Sequence, residues 1–535
     1  MSTEKKSSQS AILKSSFAPA AATLVSRMLG LVRVRFEALV LGGGELASGW
    51  FLAFAIPNLL RRILGEGALG NAIMPIVAEL DANEGKAGVK RELGTVFSIL
   101  AFLLALIVIL VSIISIAAGK IDFIQQIGFF KTERMRYVLE LLPLLMPYGF
   151  FMCLVGAATS VLNYCREFFL PALGALLLNI FFISGLGTAY FLHVQDVRQV
   201  VNILAYLVLA SGLIQLLLTG FLLKRNDCFP KFSKIFSVMS FKNATVKKVF
   251  SIALPGMVGG IAVQVSFLVD RSIANWLGAQ AIPALTYVDR LIDLPIGIFA
   301  VSLGTVLMSS MSRSAARGSM DVFSDELEFS IRHVFFFCVP MAVGVMFFFN
   351  PLMSVLCLGG RYTESDLLAA RNVAFFYGAG IPVFCLLKVL GPAFYSRKKV
   401  WFPCYASLCA ICLNIILNII LMRSMQQAGI ALATLIASVV NCSILLGILH
   451  NEKLLSGKRK IVVSFVRSTV VAMAAFLCVY LLFPASQQIS SNWWKALGNL
   501  AITGVLFLLI YTVLSAVFRA PELKECFALF LHRKK

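Results

Sequence analysis

The chain has 535 residues, 59% of them hydrophobic and 14% charged, where soluble domains run near half apolar and a quarter charged. This balance excludes a soluble globular enzyme or binding module and defines a polytopic membrane protein. The formal net charge is +21, but most of the basic residues form short clusters between apolar runs; that is the pattern of membrane orientation, and no nucleic-acid partner is expected.

A membrane crossing needs about 20 mostly apolar residues. Fourteen stretches meet that length: 16–43, 47–80, 91–118, 136–163, 168–192, 198–223, 248–278, 281–311, 330–358, 366–394, 400–422, 428–449, 461–484 and 495–518. The expected fold is all-α and polytopic, with 14 transmembrane helices. The polar start MSTEKKSSQS leads into the first span without a small-residue cleavage pattern, so no cleavable signal peptide is expected.

The first span carries Arg27, Arg33, Arg35 and Glu37. The second contains AIPNLLRRILGEGALGNAIMP, which sets Arg61, Arg62 and Glu66 in the middle of an apolar run. Each such charge costs roughly 2.5–3.5 kcal/mol at a span centre on the lenient insertion scale. Gly65, Gly67, Gly70 and Pro75 interrupt the same span. Farther along, the seventh span carries Asp270 and Arg271. The eighth carries Asp289, Arg290 and Asp293, followed by Pro295 and Gly297, and the tenth carries Lys388. Broken helices in membranes line cavities and supply bending points.

Loop charges orient the spans. Lys5, Lys6 and Lys14, the 81–92 loop, the 224–248 loop, Arg313 and Arg317, Arg397-Lys398-Lys399, the 453–460 loop and the HRKK tail fall on one side if fourteen spans alternate. The opposite loops, such as GGGELAS and SMQQAG, are nearly neutral, with the mixed-charge 119–135 loop as the exception. Both termini are therefore expected in the cytoplasm.

The sequence also repeats at an offset of 234–236. Pro19 falls on Pro255, Arg35 on Arg271, Leu69-Gly70 and Met74 on Leu303-Gly304 and Met308, Pro147 on Pro382, Gly156 on Gly391, and Asn179 on Asn414. An even number of spans per repeat gives both halves the same orientation. The expected layout is a six-helix bundle over 1–223, a cytoplasmic linker over 224–247, a second six-helix bundle over 248–450, two additional helices over 461–520 forming a lipid-tail groove, and a basic tail over 521–535.

A central cavity lined by arginines of spans 1, 2 and 8 suits an anion, because the guanidinium fork binds phosphate bidentately. The plainer alternative is that the arginines snorkel or pair for neutrality. Cys409 and Cys412 form a C-x-x-C inside an apolar helix and are read as packing residues. The four histidines are isolated, so no metal site is expected. With no D-D-x-x-D and no mid-span histidine, a polyprenyl-phosphate enzyme is disfavoured. So is an exporter of cationic drugs, which needs an acidic lining.

SRMLGLVR (26–33), FAIPNLLRRILGEGALGNAIMPIVAEL (54–80), YVDRLIDLPIGIFAVSLGT (287–305) and LKVLGPAFYSRKK (387–399) closely resemble the MurJ/MviN family. These are lipid II flippases of the multidrug/oligosaccharidyl-lipid/polysaccharide exporter superfamily. The resemblance implies a non-enzymatic transporter in the bacterial cytoplasmic (inner) membrane that moves the undecaprenyl-pyrophosphate-linked muropeptide to the outer leaflet for peptidoglycan synthesis. It implies a pyrophosphate and headgroup site of Arg27, Arg33, Arg61, Arg62 and Arg290, with Glu66, Asp289, Asp293, Lys388, Pro295 and Gly297 in supporting or gating roles. It also implies a guiding role for the added helix pair toward the polyprenyl tail. Some members look to bind sodium, and the matching positions are Asp270, Asn414, Asn418 and Thr434; no other cofactor is implied. Val34 and Ser48 stand where the family usually has acids. The expected partners are lipid II, membrane lipids and cell-wall synthesis proteins, and the expected state is a monomer. The alternatives are a sodium- or proton-coupled multidrug exporter of the same superfamily, a flippase for another polyprenyl-linked glycan, and a scaffold for cell-wall synthesis.

Overall fold

The computed structural model describes residues 25–121, 132–165, 167, 169–231, 243–297, 310–315, 317–397, 399–455 and 457–532. Lys5, Lys6, Lys14, Pro19, the Leu303-Gly304 and Met308 repeat positions and the last three tail residues lie outside these, as do the side chains of Glu66 and Gly70. The described residues are helical almost throughout. In chain order the helices are α1 (25–41), α2 (Glu45–Leu60), a π-helical segment (Arg61–Ala68), α3 (Leu69–Lys120), α4 (Glu133–Tyr164), α5 (Phe169–Phe191), α6 (Val197–Arg225), α7 (Ala244–Ala274), α8 (Ala281–Pro295), α9 (310–315), α10 (Met320–Phe347), α11 (Phe349–Leu356), α12 (Glu364–Tyr395), α13 (Trp401–Met425), α14 (Gln427–Asn451), α15 (Lys458–Leu482), α16 (Trp493–Val517) and α17 (Pro521–His532).

Nine of the described helices are long and apolar enough to cross a membrane: most of α3, and α4, α6, α10 and α12–α16. These correspond to spans 3, 4, 6 and 9–14 of the sequence reading. The second span, expected as one piece over 47–80, is instead α2, the π-helical segment and the start of α3. The 81–92 loop is helical as well, broken only at Gly85, whose φ of 64° is in the left-handed region open to glycine. Along α3, Ile109, Ile113 and Ile114 are exposed. Such a row suits lipid and would be a liability in water.

Two compact units part between Ser272 and Ile273. The first takes most of the seventh span with it, so packing divides the chain one helix later than the 224–247 linker. In the first unit, α4 is the hub and packs on α2, the π-helical segment, α3 and α6. In the second, α12 is the hub and packs on α8, α10 and α14. Both hubs are 32 residues long with two internal prolines, Pro143 and Pro147 in one, Pro382 and Pro392 in the other. Shifted by the repeat offset, α2 falls on α8, the apolar half of α3 on α10, and α6 on α14. The internal repeat is thus a repeat of packing as well as of sequence.

Loops expected on the cytoplasmic side gather at one end of each unit. In the first, Tyr164 donates to Asp81 (2.7 Å), Asn243 to Glu92 (2.9 Å), and Lys248 to Glu79 (2.7 Å). In the second, Arg397 and Lys399 both pair with Glu452, and Ser324 donates to the Leu454 carbonyl (2.9 Å). At the other end of the second unit, Gln280 reaches Asp366 (2.8 Å) and Trp493 reaches the Val355 carbonyl (3.0 Å).

Candidate functional site

The sequence RRILGEGA takes the wide i→i+5 register from Arg61 to Ala68. Pro57, one turn earlier, has no N–H to give the α ladder, and Gly65 and Gly67 are poor helix formers. π turns inside α-helices recur at functional sites, and this one sets two adjacent guanidinium groups on its first turn. Gly65 makes it fit, because Gly156 of α4 packs directly on the Gly65 backbone. The Cys153 thiol of α4 donates to the Leu60 carbonyl at the register change (3.4 Å). The chain takes the same register at Ile296–Gly297, immediately after Pro295. Position 296 is the repeat equivalent of Arg61, so both interruptions expected from Gly and Pro are present at matching places.

Arg61 is half-buried, and its Nε donates to Asn58 Oδ1 (2.9 Å). Arg62 is half-buried with its Cζ 6.0 Å from the Phe267 ring of α7, and Arg271 approaches the same ring to 4.7 Å. One aromatic ring thus lies near two cations, an attraction of the cation–π kind that costs neither its charge. Arg271 and Asp270 are buried.

Arg33 stands differently. It is 8% exposed, pairs with Glu37 at 2.9 Å and lies over the Phe182 ring at 3.4 Å, with Phe54 at 5.7 Å. Trp50 stacks on Phe54 and completes the aromatic wall. The structure therefore places Arg33 in the interior of the first unit, paired and enclosed. Val34 and Ser48 are buried at 3% and 0%. Glu37 supplies the countercharge to Arg33. Arg27 is half-buried on α1.

In the second unit, Asp289 and Arg290 are half-buried neighbours on α8, with Asp293 exposed one turn on. Among the described residues Arg290 forms no hydrogen bond or ion pair. Lys388 is exposed, about two turns before the C-terminal end of α12. Of the four positions matched to a sodium site, three come together: Asn418 donates to Asn414 (3.1 Å), Asn414 to Thr434 (3.2 Å), and Thr434 to the Ile430 carbonyl (3.0 Å). They form a ladder between α13 and α14, while Asp270 belongs to the other unit.

The second unit also holds an apolar cavity of about 620 Å³. Phe337 and Gly344 of α10, Gly504 and Leu508 of α16, and Leu523 and Cys526 of α17 are on its walls. The sequence reading expected a groove built by the two added helices. Here α16 contributes a wall, the ninth-span helix α10 faces it, and the C-terminal helix closes it. That helix is pinned by Glu522, fully buried between Arg332 (3.3 Å) and Arg467 (2.5 Å), and by Glu525 on Arg332 (3.2 Å). Sequence alone did not reveal α17 as part of a site. Its PELKECFALFLH pattern of acids one turn apart beside apolar residues was the available signal.

Two repeated helical units, each broken by a π turn beside membrane-embedded arginines, define a polytopic transporter of the multidrug-exporter fold. An inward-facing multidrug exporter of that superfamily aligns with a TM-score of 0.66 at 14% identity, over 81% of this chain and 96% of its own. A solved lipid II flippase MurJ in an inward closed conformation aligns with a TM-score of 0.75 at 23% identity, over 94% of this chain and 98% of its own. The family model described as lipid II flippase MurJ matches residues 38–497. The probable lipid II flippase of Buchnera aphidicola subsp. Acyrthosiphon pisum is 30% identical over 473 residues, covering 88% of this chain and 89% of that protein. That of Vibrio cholerae is 29% identical over 510 residues, covering 92% and 93%. The chain belongs to the lipid II flippase MurJ family.

Proposed function

We propose that this chain flips lipid II from the inner to the outer leaflet of a bacterial cytoplasmic membrane by alternating access, with both termini in the cytoplasm and the monomer as the working unit. The observation that carries the reading is the match to the lipid II flippase family along nearly the whole chain. No bond is made or broken in this activity, so the residues need only bind, neutralise and release.

Arg27, Arg61, Arg62 and Arg290 would contact the pyrophosphate and headgroup. Their guanidinium forks match phosphate oxygens, and the π turn holds Arg61 and Arg62 at a break in the span. Arg33, its charge balanced by Glu37 on the same helix, would keep α1 against α2 and α5 through Phe54 and Phe182. Glu66, Asp289, Asp293 and Lys388 would tune the local charge, and the breaks at Pro295 and Gly297 would bend as the units exchange access. Binding must favour the closed state over the open one, or the substrate shifts nothing. The cavity between α10, α16 and α17 would take part of the polyprenyl tail.

Sodium is the proposed coupling ion. The amide and hydroxyl oxygens of Asn414, Asn418 and Thr434 are of the hard type such a cation takes, and Asp270 would add the charge. Asn414 Oδ1 and Thr434 Oγ1 already accept hydrogen bonds within the ladder, so a cation would compete for those two oxygens. Cell-wall synthesis proteins are the proposed partners in the membrane.

The test is lipid II translocation in cells depleted of their own flippase and carrying this chain, with Arg61→Ala and Arg290→Ala beside the wild type at equal membrane levels. Translocation by the wild type and its loss in both variants is the expected result. Well-inserted wild type that restores nothing overturns the substrate; full activity in both variants overturns the site.

A further inference from the structure

At one end of the first unit, the sulfurs of Cys165 and Cys228 stand 3.4 Å apart, although 63 residues separate them. Cys165 caps α4, and Cys228 follows the last turn of α6. Cys165 is half-buried and Cys228 is 5% exposed.

The segment carrying Cys228 is held in place independently. Asp227 pairs with Lys90, the Lys231 N–H donates to the Lys90 carbonyl (2.9 Å), and Gly94 leaves room for the Lys231 backbone where a Cβ would meet its oxygen at 2.0 Å. This short strap lies on α3 and leads into the linker between the repeats. The two sulfurs are therefore already opposed, and a bond at about 2.05 Å asks for only a small further approach.

We propose that Cys165 and Cys228 are a reversible dithiol–disulfide site, and that its oxidation staples the linker strap to the end of α4 and slows transport. The second half rests on the transport reading above; the first does not. Each thiol gives up its proton, and the two sulfurs together give up two electrons to an oxidant of the peroxide class. One sulfur first becomes a sulfenic acid with release of water. The other displaces its hydroxyl as a second water, forming the S–S bond. Burial and the neighbouring Cys228 sulfur hold the Cys165 thiol above its ordinary range. Little thiolate is then present at neutral pH, and the reducing cytoplasm keeps the pair open. The site answers sustained oxidation, and faster at alkaline pH.

The experiment uses the full chain in detergent, treated with hydrogen peroxide, blocked with N-ethylmaleimide and digested without reductant for mass spectrometry. A Cys165–Cys228 linked peptide in the wild type, removed by dithiothreitol and absent from Cys165→Ser and Cys228→Ser, is the expected result. Both cysteines recovered as blocked free thiols at doses that oxidise a small exposed dithiol overturn the site. In proteoliposomes, the oxidised wild type should translocate lipid II several-fold more slowly and recover on reduction, with Cys228→Ser unaffected. Cross-linked protein that translocates at the reduced rate overturns the regulatory half. A reduced wild type that translocates nothing counts against the substrate reading and leaves the chemical half to the peptide result.

Discussion

Gly156 of α4 lies so close to Gly65 of the π turn that a Cβ on Gly156 would stand 2.1 Å from the Gly65 carbonyl oxygen. Neither backbone can yield cheaply, since one belongs to the hub helix and the other to the turn that carries Arg61 and Arg62. Overpacking of this kind typically costs about 1–3 kcal/mol. Gly156→Ala is expected to lower the apparent unfolding midpoint in detergent and to reduce transport. Gly30→Ala and Gly447→Ala meet no atom within 4 Å, and should be neutral or slightly stabilising because alanine favours the helix. Equal midpoints for all three would refute the close-packing argument.

Arg33 and Glu37 make a second test. Removing one partner of a buried pair strands the other charge, at about 3–5 kcal/mol. Glu37→Ala is expected to destabilise the chain as strongly as Arg33→Ala. The double variant Arg33→Met, Glu37→Ala should recover much of the loss, since neither charge is then left alone. Strictly additive losses in thermal unfolding would mean that the pair is not coupled.

These two residues also mark what the sequence could and could not reveal. Glu37 follows Arg33 by four positions, a helical neighbour that any reading of the chain can pair. Phe182 comes from a different helix and has no spacing rule that leads to it, so the enclosure of Arg33 by aromatic rings was not legible. The break in span 2 was legible in its glycines and in Pro75, whereas the fit of Gly156, far along the chain, against Gly65 of the π turn was not. The repeat was legible as an offset, but the boundary at Ser272 was not, because it reflects which neighbours the seventh span packs against. The added helix pair was expected to form a groove, with no sign of which other helices would complete it. Its second wall and its closing helix became visible only where Glu522 meets Arg332 and Arg467.

Arg290 offers the cleanest separation of binding from folding. Among the described residues Arg290 forms no hydrogen bond or ion pair, so its loss breaks none and removes only partly buried packing. Arg290→Ala is expected to keep the wild-type unfolding midpoint within about 0.5 kcal/mol while losing most of its lipid II translocation. Arg62→Ala also removes the contact to Phe267, so it should lose activity together with a small part of its stability. A midpoint that falls more for Arg290→Ala than for Arg62→Ala would reverse these roles.

Glu452 sits outside the spans, where pH can reach it. Burial opposes its ionisation, but hydrogen bonds from Lys399 and Arg397 prevail and hold its carboxyl below the usual carboxylate range. A carboxyl depressed in the folded state contributes stability at pH above its ordinary unfolded range, and that contribution is lost as pH falls through the folded value. Glu452→Gln should therefore lower the midpoint at neutral pH, with the gap to wild type closing on acidification below that range. A gap that is constant from neutral to strongly acid pH would show that the ion pairs are not its source.

The apolar cavity can be tested by filling it. Gly344 and Gly504 line it from opposite helices, and a Cβ on either meets nothing within 4 Å. A large side chain at these positions therefore enters open space and leaves existing contacts in place. Gly344→Phe and Gly504→Phe are expected to fold with near-wild-type midpoints, because the added ring buries apolar surface at roughly 25 cal/mol per Å². If the cavity accepts the polyprenyl tail, the same rings should slow translocation of the full-length lipid several-fold. A short-chain analogue with the same diphosphate and headgroup should be spared, since it does not reach the space between α10 and α16. Equal slowing of both substrates would point to a distorted arginine site, and no slowing of either would remove the cavity from the tail's path.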